Sequence, residues 1–300
     1  ALGLAEKEKV RDLLGKVVSH EIAEELLSKK IELGGEEKVV TVLFADIKGF
    51  TTLCETSAPE AVLTVLNRYL SEITKVIEDN HGVVDKYTGD SVMALFGAPL
   101  TRPNDAENAV RAALAIQECM VKLNSINRAE GMALMEAGIG IHTGLVVAGN
   151  LGSQNRLNYT VIGDSVNLSA RLEGLTRKYN TPNIVSETCL QHAPGFVYQE
   201  LDVVQVAGKS EPVRIYQVIG AQEEVTSEQY EKIDVFAEAL ATYRAQKWAQ
   251  ATQMFENLQL TLPAAERAES LYSVYLERMN YLYKRNLPED WDGVFVFDRK

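Results

Sequence analysis

The sequence predicts an α+β fold, a mixed sheet with helices packed against it, with a helical appendage behind it. Three observations predict it. β-rich apolar runs alternate with helix-patterned stretches. Tight turns interrupt the β-rich runs, so hairpins are mixed among the crossovers. Beyond Gly220 the composition shifts to a polar linker and then to long helical stretches.

The elements follow in order. Residues 4–30 are rich in helix formers, with an incomplete stripe at Leu13, Val17, Ile22 and Leu26, and Gly34–Gly35 ends them. The run KVVTVLFADIKGFT predicts a strand ending at Asp46 in a glycine turn. Pro59 suits a first helical turn and opens a helix over 59–79. VDKYTGDSVMALFG, residues 83–96, predicts a hairpin about a Thr-Gly turn, and a second helix is expected from about Asp105 to Asn127. ALMEAGIGIHTGLVVAG is expected as two strands around a His-Thr-Gly turn, and NYTVIG as another short strand. DSVNLSARLEGLTRKY reads as a helix with Asp164 and Ser165 as capping candidates. FVYQELDVVQV and EPVRIYQVI are the last sheet-like runs. After the linker EEVTSEQYEK, the stretches at 236–258 and 265–285 resemble one antiparallel, tetratricopeptide-type helix pair that packs without a ligand of its own. The expected segments are thus 1–35, a linker or transmitter helix, 36–220, the α+β domain, and 221–300, the helical appendage.

Bulk composition narrows the function classes. Hydrophobic residues make up 46% and charged residues 24%, ordinary for a globular chain with a real core. The formal net charge of −12 repels a phosphate backbone, which argues against nucleic acid as a partner. A small anion such as a nucleotide remains compatible, because local groups outweigh distant ones at a screened surface. Cys54, Cys119 and Cys189 show no metal-ligand spacing and read as reduced thiols of a cytosolic protein. No run is long and apolar enough to span a bilayer, and no signal peptide is seen, so membrane anchoring is left to the parent protein. The chain opens on Ala1 rather than Met, as a fragment would.

Four stretches carry groups suited to one chemistry. In FADIKGFT, Asp46 stands at a strand end beside a turn that exposes backbone N–H groups, an arrangement able to hold a cation and a polyphosphate together. Asp90 follows a second glycine, and two such aspartates on adjacent strands suit Mg²⁺, which takes few carboxylates and prefers phosphate oxygens for the rest. Asn167 and Arg171 are spaced i, i+4 on one helix face, an amide beside a guanidinium fork. Lys209 sits in the turn of VAGKSEPV. Each has a plain structural reading when taken alone, and His142 in IHTG reads as a satisfied structural histidine.

FADIKGFT, KYTGDSVMALFG, GIGIHTGLVVAGNLG and YTVIGDSVNLSARLE, in this order and spacing, resemble the class III nucleotidyl cyclase catalytic domain over residues 36–219 or so. The resemblance implies a ferredoxin-like sheet with helices, and two copies paired head to tail with sites at their interface. It implies Asp46, Asp90 and the Ile47 carbonyl as ligands of two Mg²⁺ or Mn²⁺ ions, and the amides of Gly49, Phe50 and Thr51 as a triphosphate cradle. Asn167 and Arg171 match the pair that orients the ribose and stabilises the transferring phosphate, and Lys209 matches a lysine for the terminal phosphates. Lys86 and Thr160 match the two base-reading positions. In the implied homodimer one copy lends Asp46 and Asp90 to a site and the other lends Lys86, Thr160, Asn167 and Arg171.

Lys86 can only donate, which suits adenine N1, and Thr160 can accept from the adenine amino group. Guanylate cyclases resemble Glu and Cys at these positions, whereas a Thr at the second resembles the bicarbonate-stimulated adenylate cyclase subclass. The expectation is therefore conversion of ATP to 3′,5′-cyclic AMP and pyrophosphate, with Asp46 or solvent taking the proton. The N-terminal helix resembles segments that join sensor domains to cyclase domains. Alternatives are a cyclase that also uses GTP, a silent nucleotide-binding dimerisation module, and an interaction protein acting through its helical tail. A diguanylate cyclase would want a Gly-Gly-acidic hairpin, which YTGDS is not.

Overall fold

The computed structural model describes residues 34–153, 156–206, 211–285 and 287–297. The expected N-terminal helix and Lys209 lie outside these residues. The chain forms two compact units, parting between Glu173 and Gly174.

The first unit is built on β1 (Gly34–Ile47), α1 (Phe50–Thr56), α2 (Pro59–Asp79), β2 (Val83–Thr88), β3 (Ser91–Phe96), α3 (Asp105–Ala129), β4 (Ala137–Ser153), β5 (Arg156–Ile162) and the start of α4 (Asp164–Tyr179). Its strands run β2-β3-β1-β4-β5, all antiparallel. Helix α2 buries Val62, Val65, Tyr69, Ile73 and Ile77, a stripe at helical spacing, and packs against α3 and β2. Val40, Val42, Met93, Leu95, Val146, Ala148 and Val161 form one core cluster. That cluster joins β3 to β5, so the sheet curls until its outer strands approach each other.

Several elements differ from the sequence expectation. The His-Thr-Gly stretch is no turn: β4 runs straight through it, because β1 pairs with it continuously from Gly34↔Asn150 to Ile47↔Ala137. Thr41 Oγ1 and Thr143 Oγ1 share a buried hydrogen bond of 2.8 Å across this pairing. Strand β1 extends one residue past Asp46 to Ile47, and the turn after it leads into the short helix α1. In the hairpin, Gly89 and Asp90 form the turn between Thr88 and Ser91. Gly89 has φ 64°, a positive φ that glycine adopts without Cβ strain.

The second unit carries the end of α4, then β6 (Asn183–Ser186), α5 (Glu187–His192), β7 (Phe196–Gln205), β8 (Val213–Ala221), α6 (Ser227–Arg244), α7 (Trp248–Leu260), α8 (Leu271–Leu282) and β9 (Phe295–Val296). Its strands run β6-β8-β7-β9, with β9 parallel to β7. Where a linker and two helices were expected, the described residues form three α-helices, the first starting at Ser227 inside the expected linker. The chain breaks at Ala245–Lys247, where Gln246 takes φ 58°, and a Ser270 capping box starts α8 later than expected. No helix among the described residues is long and apolar enough to cross a membrane.

Candidate functional site

Asp46 lies one residue before the end of β1. Antiparallel pairing carries Ala45 opposite Val92, which brings the end of β1 beside the Gly89–Asp90 turn. Both aspartates bear on the same buried group: the Tyr69 phenol of α2 is pushed up by burial first, then by the negative charges of Asp46, Asp90 and Glu173. Tyr69 OH is itself buried without a hydrogen-bond partner among the described residues. The carboxylates of Asp46, near the end of β1, and Asp90, in the β2–β3 turn, together with the Ile47 carbonyl are hard oxygen donors whose charge fits Mg²⁺ or Mn²⁺. No group of three or more His, Cys, Asp or Glu side chains arranged for a metal occurs among the described residues. A donor set that small fits a cation completing its shell on phosphate oxygens.

The turn after β1 presents Gly49 with φ 73° as the N-cap of α1. Glycine offers no side-chain oxygen, so no side chain caps this helix. The amides of Phe50 and Thr51 are among the first N–H groups of the helix, which lack intrahelical acceptors by construction.

Helix α4 is seated by backbone contact. A Cβ built on Gly140 of β4 would lie 2.1 Å from Glu173 N and 2.5 Å from Ser169 O. Ser169 Oγ donates to Val42 O at 2.7 Å, and Ser165 Oγ donates to Leu145 O at 2.9 Å. With Leu168, Ser169 and Leu172 buried, Asn167 is left exposed and Arg171 half-buried, one turn apart. Arg171 Nη1 is buried with no hydrogen-bond partner among the described residues. A guanidinium N–H in that condition is costly unless a ligand or partner chain supplies an acceptor.

Lys86 and Thr160 stand on the two outer strands of the unit, β2 and β5, yet they meet on one carboxylate. Thr160 Oγ1 donates to Asp85 Oδ2 at 2.9 Å, and Lys86 Nζ lies 3.2 Å from the same oxygen. The register skips between Val84 and Lys86, so Asp85 occupies a β-bulge. Its side chain is 0% exposed, against 50% for Lys86. Sequence reasoning missed Asp85, as well as Tyr69 and Glu173. For Asp85 a signal existed: an acidic residue directly after two core valines, Val83 and Val84, in a run otherwise headed inward. His142 is buried within β4. The cysteines are free thiols, Cys54 exposed, Cys119 half-buried and Cys189 buried.

Residues 35–220 match the family model described as the adenylate and guanylate cyclase catalytic domain. The chain is 36% identical over 206 residues to adenylate cyclase 1 of Rhizobium meliloti (strain 1021), a match covering 66% of this chain and 31% of that protein. It thus spans about a third of the length of such curated relatives. Among solved structures it is similar to the adenylyl cyclase CyaB from P. aeruginosa, at 35% identity and a TM-score of 0.60, covering 65% of this chain and 100% of that one. The guanylyl cyclase Cya2 is similar at 36% identity and a TM-score of 0.59, covering 65% and 98%.

Proposed function

Because the chain belongs to the adenylate and guanylate cyclase catalytic domain family, we propose that it converts ATP to 3′,5′-cyclic AMP and pyrophosphate. The observation that carries the choice of ATP is the joining of Lys86 and Thr160 on one buried carboxylate. A lysine donor and a hydroxyl acceptor complement adenine N1 and its amino group. The name of the Rhizobium relative agrees with that choice, whereas the similarity to Cya2 keeps GTP as the comparison substrate.

In this reading Asp46, Asp90 and the Ile47 carbonyl would hold two Mg²⁺ or Mn²⁺ ions, whose charge would lower the pKa of the ribose 3′-hydroxyl and offset that of the triphosphate. The amides of Gly49, Phe50 and Thr51 cradle the phosphates, with Lys209 meeting the terminal ones. The 3′-oxygen attacks the α-phosphorus in line, its proton passing to Asp46 or solvent, and the bond to pyrophosphate breaks. Asn167 orients the ribose, and Arg171 places its N–H fork, including the unpartnered Nη1, against the charge gathering on the α-phosphate.

The site is completed in a homodimer, one copy lending Asp46 and Asp90 and the other Lys86, Thr160, Asn167 and Arg171. Apolar surface supports pairing: Val39, Leu145 and Ile162 are 53%, 56% and 51% exposed, and Val39 lies directly opposite Leu145 in the β1–β4 register. The N-terminal segment would either transmit from a sensor domain of the parent protein or simply aid dimerisation, and residues 221–300 would serve as a packing appendage.

The test is direct. Purified chain incubated with ATP or GTP and Mn²⁺, with products resolved by chromatography, is expected to yield cyclic AMP from ATP, less product from GTP, and none once a chelator is added. Cyclic GTP product in excess, or no cyclic nucleotide from either substrate, overturns the reading.

A further inference from the structure

A threonine hydroxyl is both donor and acceptor, so by itself it discriminates poorly between adenine, which presents an amino donor, and guanine, which presents a carbonyl acceptor. We infer that Asp85 is the positioning residue that makes Thr160 an acceptor toward the base and so sets the preference for ATP over GTP. The inference rests on the reading of Lys86 and Thr160 as the base-facing pair and deepens it.

The geometry carries the argument. An ionised carboxylate can only accept, so the Thr160 hydroxyl must spend its single proton on Asp85 Oδ2, 2.9 Å away. Only lone pairs then remain for a ligand. These lone pairs welcome an amino group and repel a guanine carbonyl. The same Oδ2 lies 3.2 Å from Lys86 Nζ, so one atom orients both base-facing groups. With the Asp85 side chain 0% exposed, the contact is not loosened by solvent.

Two features mark Asp85 as more than packing. It sits in a bulge, a local break in pairing that re-aims a side chain at a cost to the ladder. Its other oxygen, Oδ1, is buried without a hydrogen-bond partner among the described residues. A carboxylate retained for stability alone would satisfy both oxygens, and an apolar residue would fill the place more cheaply.

The experiment compares wild type, Asp85→Asn, Asp85→Ser, Thr160→Val and Asp85→Asn/Thr160→Val. An amide or hydroxyl at position 85 can donate to Thr160 as well as accept, which frees the Thr160 proton for a guanine carbonyl. The ATP:GTP ratio of kcat/KM is expected to fall roughly tenfold in Asp85→Asn and in Asp85→Ser. In the Thr160→Val background the Asp85→Asn change is expected to leave the ratio nearly unmoved, the non-additivity that marks action through the hydroxyl. Binding of 3′-deoxy-ATP and 3′-deoxy-GTP, which lack the attacking hydroxyl, is measured by calorimetry with Mn²⁺ and should show the same pattern in Kd. An unchanged ratio in folded Asp85→Asn and Asp85→Ser overturns the role of Asp85 while leaving cyclase activity intact. Absence of cyclisation with an Asp85-dependent Kd ratio overturns the proposed reaction and leaves the role of Asp85 standing. Equal Kd values for both analogues in wild type sink the inference outright.

Discussion

Burial pushes the Asp85 carboxyl above the usual carboxylate range, with the Lys86 charge and the Thr160 hydrogen bond partly offsetting it. Folding therefore raises this pKa above its unfolded value. The folded state holds the proton more tightly than the unfolded chain does. The carboxylate's destabilising contribution is absent below the unfolded pKa and develops as pH rises through the folded one. Asp85→Asn should thus gain stability relative to wild type as pH rises above the unfolded carboxylate pKa of about 4, measured by urea denaturation at each pH. Wild type gaining on the variant over that range would contradict the assignment. Among the remaining site residues, Arg171 was legible as a type and a spacing. Its buried, unpartnered Nη1 was not, since burial of one guanidinium nitrogen depends on what packs over α4.

At the scale of elements, glycines at one position and not another decide how α4 is held. Gly140→Ala would drive a methyl into Glu173 N and Ser169 O, both backbone atoms that cannot swing aside. We expect a loss of about 1–3 kcal/mol or more and a fall in the proposed cyclase activity as Asn167 and Arg171 are displaced. Gly174→Ala, in the same helix, meets nothing within 4 Å. It should stabilise by roughly 0.5–1 kcal/mol, because alanine loses less backbone entropy in a helix. Thermal melts of the two variants separate close seating from helix propensity; equal shifts would remove the argument. Helix α2 was readable to its ends, 59–79, because its apolar stripe and Pro59 agree. Strand β4 was not, because a His-Thr-Gly triplet looks like a turn until fourteen residues of β1 pair along it.

Across the whole molecule, the C-terminal helices are bound into their own unit by a buried network. Asp202 of β7 pairs with Arg278 of α8 and accepts from Tyr179 OH at 2.6 Å, and the Arg278 guanidinium lies 3.9 Å from the Phe295 ring centroid. Arg278→Ala would strand a fully buried carboxylate, at a cost of about 3–5 kcal/mol read from the urea midpoint. A midpoint within error of wild type would show the network to be dispensable. The proposed pairing of copies has its own test. Asp46→Ala and Arg171→Ala should each be nearly inactive, and mixing them should restore about a quarter of wild-type activity under random pairing. No restoration, with mixed dimers shown to form, would end the shared-site reading.

The sequence by itself determined the alternation of strands and helices, the family resemblance and the order of the chemistry-bearing residues. These depend on apolar period, turn residues and local spacing, which a linear chain displays. The tertiary structure alone decided that strands β2 and β5, outermost in their unit, meet through Asp85 and Thr160, 75 residues apart. A bulge and a curled sheet bring them together, and neither leaves a periodic trace, because each arises from pairing between segments distant in the chain.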